Sequence, residues 1–151
     1  MKVRRYTAKD IPVIIDLINE SVEKTAYKGI KMNRNKLTDT LVGNERNLLF
    51  HGNVLENDAG EIIGCFCAVT GSQFWTSELF AYDQLFFVKE GHRNFKTATA
   101  LVAAYKQWAI ERRVRKAFLS NSMGLEVEKF ARLSKMLGFE QVGTIHTMEI
   151  V

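Results

Sequence analysis

The sequence is poor in the residues that staple, kink or chelate: one proline, Pro12, two cysteines and three histidines among 151 residues. With so little proline and no glycine- or serine-rich tract, nothing divides the chain, and one domain spanning 1–151 is expected. Cys65 and Cys67 stand two apart inside an apolar run, which puts both on one face of a strand and not in a C-x-x-C knuckle. They read as reduced core thiols. His51, His92 and His146 show no ligand spacing and no G-x-S-x-G elbow occurs, so no metal site and no Ser-His-Asp chemistry is expected. No stretch approaches the roughly 18 apolar residues that span a bilayer, and Met1-Lys2-Val3-Arg4-Arg5 lacks an apolar leader core. A cytoplasmic protein with no membrane partner is expected.

What is present is the balance of a folded soluble protein, with 46% hydrophobic and 25% charged residues. A chain of this length can bury a continuous core without disulfides or metals. The net charge of +4 favours encounter with anionic ligands, but at too low a density for a dedicated nucleic-acid binder. A phosphorylated small molecule satisfies it equally well.

Periodicity supplies the elements. Lys2 to Tyr6 reads as a strand, and Thr7 to Asp10 offers N-caps for a helix carrying Ile11, Ile14, Ile15, Leu17, Ile18 and Val22, with Pro12 tolerated in its first turn. Leu37 and Leu41 mark a weaker helix from about Asn35 to Val42. Leu48 to Leu55 and Glu61 to Thr70 are strand-like around the polar turn Glu56-Asn57-Asp58-Ala59-Gly60, and Leu79 to Val88 is a third run. From Asn94 to Arg112, Ala98, Leu101, Val102, Tyr105, Trp108 and Ala109 recur at helical spacing. Ala117 to Ser120 is a short strand, Glu126 to Met136 a helix with Phe130, Leu133 and Leu137 inward, and Gln141 to Val151 a closing strand. The order β-α-α-β-β-β-α-β-α-β describes a mixed α/β (α+β) domain, an antiparallel meander passing into a β-α-β crossover.

Two segments carry a family resemblance. Leu85-Phe86-Phe87-Val88-Lys89-Glu90-Gly91-His92-Arg93 resembles the "L-x-V-x-P-x-x-R" entry to the acyl-CoA motif of the GNAT acetyltransferases, and Met136-Leu137-Gly138-Phe139-Glu140-Gln141-Val142-Gly143 resembles the family's "k-L-G-F-x-x-x-G" close. The likeness covers nearly the whole chain. Arg93-Asn94-Phe95-Lys96-Thr97-Ala98 keeps the first and last positions of the family's Q/R-x-x-G-x-G/A loop, with Lys96 where the middle glycine is usual. Compact relatives with such a degenerate loop resemble proteins of bacteriophages. The resemblance implies a mostly antiparallel central sheet flanked by helices, an acetyl-CoA cofactor and transfer of its acyl group to the amine of a small molecule, a nucleotide or a protein.

On that footing, Arg93, Asn94, Phe95, Lys96, Thr97 and Ala98 open the long helix, where free amides and the positive end of the dipole suit a pyrophosphate. The cations of His92, Arg93 and Lys96 are unfavourable at a helix start unless an anion offsets them. The main chain of Phe86, Phe87 and Val88 is implied to pair with the pantetheine arm like an added strand. Asn121 falls where relatives contact the cofactor, although a turn-forming asparagine accounts for it equally well. Asp83 and Glu78 are the candidate bases for deprotonating the amine. Ser134 occupies the position where many relatives carry a tyrosine that protonates the departing thiolate. Tyr27 and Trp75, with Glu23 and Gln73, fall in segments that wall the acceptor site in the family; Trp75 is either an exposed lid or a plug at the core's end.

Twelve residues follow Phe139, short for two closing strands, so a homodimer completing the sheet is expected. Two other readings compete: a catalytically silent module that binds acyl-CoA or a partner, and a nucleic-acid domain built on Arg112, Arg113, Arg115 and Lys116. Cations at a helix C-terminus are favourable without a ligand, which makes nucleic acid an unlikely partner on sequence grounds.

Overall fold

A computed structural model of the chain describes residues 1–121, 124 and 126–150. Five strands, β1 (Lys2–Arg5), β2 (Phe50–Glu56), β3 (Ile62–Gly71), β4 (Phe80–Val88) and β5 (Lys116–Phe118), form one sheet in the order β1-β2-β3-β4-β5. Pairing is antiparallel through β4, and β5 alone runs parallel to its neighbour. The helices α1 (Ile11–Val22) and α2 (Arg34–Asn44) cover one face, and α3 (Phe95–Glu111) covers the other. After β5 comes α4 (Val127–Met136).

Each face has its own core. Ile11, Ile14, Ile15 and Ile18 of α1 pack with Val54, Cys65, Cys67 and Phe87, whereas Leu101, Val102, Tyr105 and Trp108 of α3 pack with Leu55, Phe66, Ala68 and Ala81. Side chains alternate across a strand, so β2, β3 and β4 feed both cores at once. Cys65 and Cys67 are buried free thiols on the α1 face, as their spacing indicated. The α3 helix lies close because of Gly64: a Cβ there would stand 2.9 Å from the Phe87 carbonyl oxygen and 3.2 Å from Leu101 Cδ1.

Two arginines of β1 lock the α1–α2 layer to the sheet. Arg4 donates to both carboxylate oxygens of Asp10, at 2.7 and 2.9 Å, and to Glu56, so Asp10 is held below the usual carboxylate range. Arg5 donates to the carbonyls of Asn44, Glu45, Asn47 and Phe50, which satisfies the end of α2. Tyr6 completes the contact by donating to the Leu41 carbonyl at 2.6 Å.

One expectation is corrected. Residues 141–150 form no strand and are exposed throughout, with Val142 and Met148 each 78% accessible. Gly143 weakens strand propensity there, and among the described residues no neighbouring strand lies alongside to supply a ladder. Residue 151 lies outside the described residues. Leu137 and Phe139 still pack against the α3-side core, and Gly138 adopts φ 87°, the left-handed conformation that ends a helix on glycine.

His51 of β2 is buried against Phe66, Tyr105 and Trp108, with Nε2 unpartnered among the described residues. Burial, assisted by the charge of Arg5, lowers its pKa to about 4. A base whose folded pKa is depressed leaves the unfolded chain binding more protons, so stability falls as pH drops from about 6.5 towards 4. The loss should approach about 3 kcal/mol, and His51→Phe should flatten it. Urea denaturation at a series of pH values checks this; parallel curves for the two proteins would contradict it.

Candidate active site

The strands β4 and β5 share only three register pairs, Phe80 with Lys116, Ala81 with Ala117 and Tyr82 with Phe118. Beyond them the strands part. At the fork the Asp83 carboxylate accepts hydrogen bonds from the Ser120 amide, 3.1 Å to each oxygen, and from its hydroxyl at 3.0 Å. A side chain therefore takes the place of the next rung of the ladder. Tyr105 of α3 fixes β5 from behind by donating to the Phe118 carbonyl at 2.8 Å.

A bulge sits next to the fork. Cys67 faces Leu85 and Ala68 faces Asp83, so Gln84 has no partner on β3. The extra residue reverses the alternation of β4: Ala81 belongs to the α3-side core, but after the bulge Phe86 and Val88 take that face while Leu85 and Phe87 turn to α1. The Lys89 amide bonds Ile63 of β3, so by alternation the backbone groups of Phe86 and Val88 point away from β3, into the opening. Arg93 takes one of them, donating from Nε to the Val88 carbonyl at 2.8 Å.

The opening is a cavity of about 610 Å³. Its walls are β4 from Asp83 to Val88, the start of α3, Ser120 and Asn121 after β5, and the α4 side chains Phe130, Leu133 and Met136. At the α3 end, Asn94 is the N-cap: its Oδ1 accepts from the Thr97 amide at 3.0 Å, and its carbonyl accepts from Ala98. The amides of Phe95 and Lys96 have no hydrogen bond among the described residues. Two backbone donors without partners and the positive end of a 17-residue helix thus stand at that end of the cavity, which Phe95 lines.

Of the residues singled out from the sequence, the structure gathers Asp83, Phe86, Phe87, Val88, Arg93, Asn94, Phe95, Thr97, Ala98 and Asn121 around this one cavity. It does not bring in the others. Lys96 is exposed and turned away from it. The Ser134 hydroxyl donates back to the Phe130 carbonyl within α4, the common resting place for serine in a helix. Glu78 lies outside the cavity in the 72–79 loop, exposed and 3.7 Å from Arg115. Tyr27 and Trp75 lie at opposite ends of the sheet: Lys24 pairs with Glu90 beyond the end of β4, whereas the 72–79 loop precedes its start. Nine residues of strand separate those ends by about 26 Å. Ser120 and the α4 wall had no distinguishing signal in the sequence, since Phe130 and Leu133 read there as ordinary core positions.

A sheet opened at a parallel strand pair, beside a helix N-terminus that follows the inner strand, is the architecture the motif resemblance implies. The sequence model of the Acetyltransferase (GNAT) family matches residues 17–139. The chain belongs to that family. No curated protein matches the sequence. Among solved structures, it is similar to an acetyltransferase from Trypanosoma brucei at 14% identity, with TM-score 0.75 and 99% of each chain covered. It is also similar to an aminoglycoside acetyltransferase from an uncultured soil metagenomic sample (20% identity, TM-score 0.70, 99% of this chain and 98% of that one). A third similar structure is the ribosomal-protein-alanine N-acetyltransferase of Brucella melitensis (13% identity, TM-score 0.72, 99% and 100%). Such low identities establish the fold and leave the acceptor open.

Burial raises the pKa of Asp83, and the hydrogen bonds from Ser120 only partly oppose that. An acid whose folded pKa is raised favours folding at low pH, and that contribution is lost as pH rises through and above 3.8. Asp83→Asn keeps an acceptor for the Ser120 amide without the buried charge. It should melt higher than wild type at pH 7, with the gap closing near pH 3.5, as thermal scans at the two pH values will show.

Proposed function

We propose that this chain transfers an acetyl group from acetyl-CoA to a primary amine, both substrates being held together at the β4–β5 fork. The observation that supports it best is the unpaired inner edge of β4 running along the cavity into the start of α3. That edge offers a strand-like partner to an amide-bearing arm, and the α3 amides with Arg93 offer donors to a diphosphate. The cavity volume suits a ligand of that size. Acetyl-CoA, when bound, supplies an acyl group activated as a thioester.

The residues of the chain divide the remaining work. The amides of Phe95 and Lys96 bind the phosphates, and Phe86 and Val88 orient the arm through their main chain. Phe130, Leu133 and Met136 exclude water from its apolar side. Asp83 is the carboxylate at the apex of the fork, and burial gives it the basicity to accept a proton from the incoming amine. Holding amine and acyl group in one cleft removes much of the entropic barrier. The buried thiols Cys65 and Cys67 fit a reducing compartment, the cytoplasm.

A second reading has its own observation. Ser134 is tied to Phe130 and presents no acid to the cavity, which suits a module that binds acyl-CoA with little turnover. In the transferase reading, water protonates the departing thiolate. Isothermal titration with acetyl-CoA should give one site per chain, and turnover with a panel of amines separates the two readings.

Ala98 is 7% accessible and lines the cavity one turn into α3. Ala98→Glu should weaken acetyl-CoA binding more than about tenfold by setting a carboxylate against the diphosphate. Unchanged affinity in a folded variant would place the cofactor elsewhere, with Arg93→Ala as the companion if the first variant proves unstable. Asp83→Asn should leave that affinity within about twofold and lower kcat about 100-fold. Loss of affinity with kcat preserved would make Asp83 a structural clasp only.

A further inference from the structure

The start of β4, on the other side of the fork from the cavity, carries a second set of features that acetyl transfer does not use. The loop 72–79 projects Phe74, 101% accessible, and Trp75, 69% accessible. Beside it runs Arg112-Arg113-Val114-Arg115-Lys116, held there by the Arg115 amide donating to the Leu79 carbonyl at 2.7 Å and by the register of Lys116 with Phe80. Between them the sheet face opposite α3 shows Tyr82 and Phe118, half-buried and stacked with centroids 5.2 Å apart and planes 2° apart, over the buried ring of Phe80. Lys116 alternates onto the same face as Phe118. Glu78 faces Arg115 at 3.7 Å with both side chains exposed, and Glu111 ends α3 nearby.

The helix dipole explains Arg112 at most, because its field fades within the last turn. Arg113 is different. It stands just past the end of α3 with φ 55°, the left-handed conformation in which glycine is the ordinary choice, and its side chain is exposed. The fold thus gains nothing from arginine there. Cations on one side, exposed aromatics on the other and stacked rings between them match a strand with a charged backbone and flat bases. A second copy of this chain fits poorly, since a two-fold interface here would gather the Arg113, Arg115 and Lys116 cations of both copies into one contact. A lipid surface suits the Phe74–Trp75 tip, but not the half-buried, mutually stacked Tyr82–Phe118 pair.

We propose that this face binds single-stranded nucleic acid, with bases stacking on Trp75 and on the Tyr82–Phe118 pair and phosphates on Arg113, Arg115 and Lys116. The site shares no residue with the lining of the cofactor cavity and does not depend on acetyl transfer. A fluorescein-labelled, mixed-sequence single-stranded RNA of about a dozen nucleotides is the probe, titrated by anisotropy with the full chain. Binding should weaken with salt with a log–log slope of about −2, as three phosphate contacts require. It should persist under saturating coenzyme A, fall several-fold in Trp75→Ala and be weaker for duplex RNA.

The decisive variant is Arg113→Gly. Relief of the left-handed backbone should raise its melting temperature by about 2 °C while RNA affinity falls several-fold, a pairing that a structural role for Arg113 cannot produce. Four results would overturn the proposal: no salt-dependent binding, competition by coenzyme A, wild-type affinity in both variants, or stronger binding to anionic phosphatidylserine vesicles than to RNA.

Discussion

Past Tyr82 the inner strand β4 carries hydrogen-bonding groups along an edge that β5 no longer reaches. Backbone donors and acceptors removed from water need partners, so an opened parallel pair stays open only if something else satisfies its edge. The chain answers with two side chains. Asp83 collects the Ser120 amide and hydroxyl at the apex, and Arg93 reaches back to the Val88 carbonyl at the far end. Between those pins lies the stretch left for a ligand. The bulge at Gln84 works with them, because one unpaired residue turns Phe87 into the α1 core and leaves Phe86 and Val88 addressing the cavity side.

The same geometry explains why the cavity has a weakly attached wall. No residue of α4 is buried, although Phe130, Leu133 and Met136 face the cavity from it. Lys106 of α3 donates to the Leu137 carbonyl, and Leu137 and Phe139 pack at the end of α4. The rest of the apolar stripe is left facing open space. A ligand in the groove would give that stripe the surface it lacks, so binding energy and the packing of α4 are coupled.

Much of this was legible in the sequence, and the reasons are specific. The run Ala98, Leu101, Val102, Tyr105, Trp108 and Ala109 marked α3, and all six are buried. The motif from Leu85 to Arg93 located the inner strand and the helix start that now line one cavity. The bulge was invisible, because Gln84 is unpaired only relative to a register that no single strand encodes. Asp83 stood out as an acid on a strand, but its partner lies 37 positions away. Tyr27 and Trp75 share a resemblance to acceptor-site walls in sequence, and the sheet topology sets them at opposite ends of β4.

The missing glycine at position 96 shows what the helix start requires. Glycine is needed where φ is positive or where a Cβ would collide, and neither holds here: Lys96 has no left-handed backbone and its side chain is exposed. Asn94 caps the helix through its own side chain and leaves the amides of Phe95 and Lys96 free to face an anion. Steric demand falls instead on position 98, where the side chain turns onto the cavity at 7% accessibility, and there the residue is alanine. Smallness is kept where the ligand must approach, and charge is tolerated where the chain turns away from it.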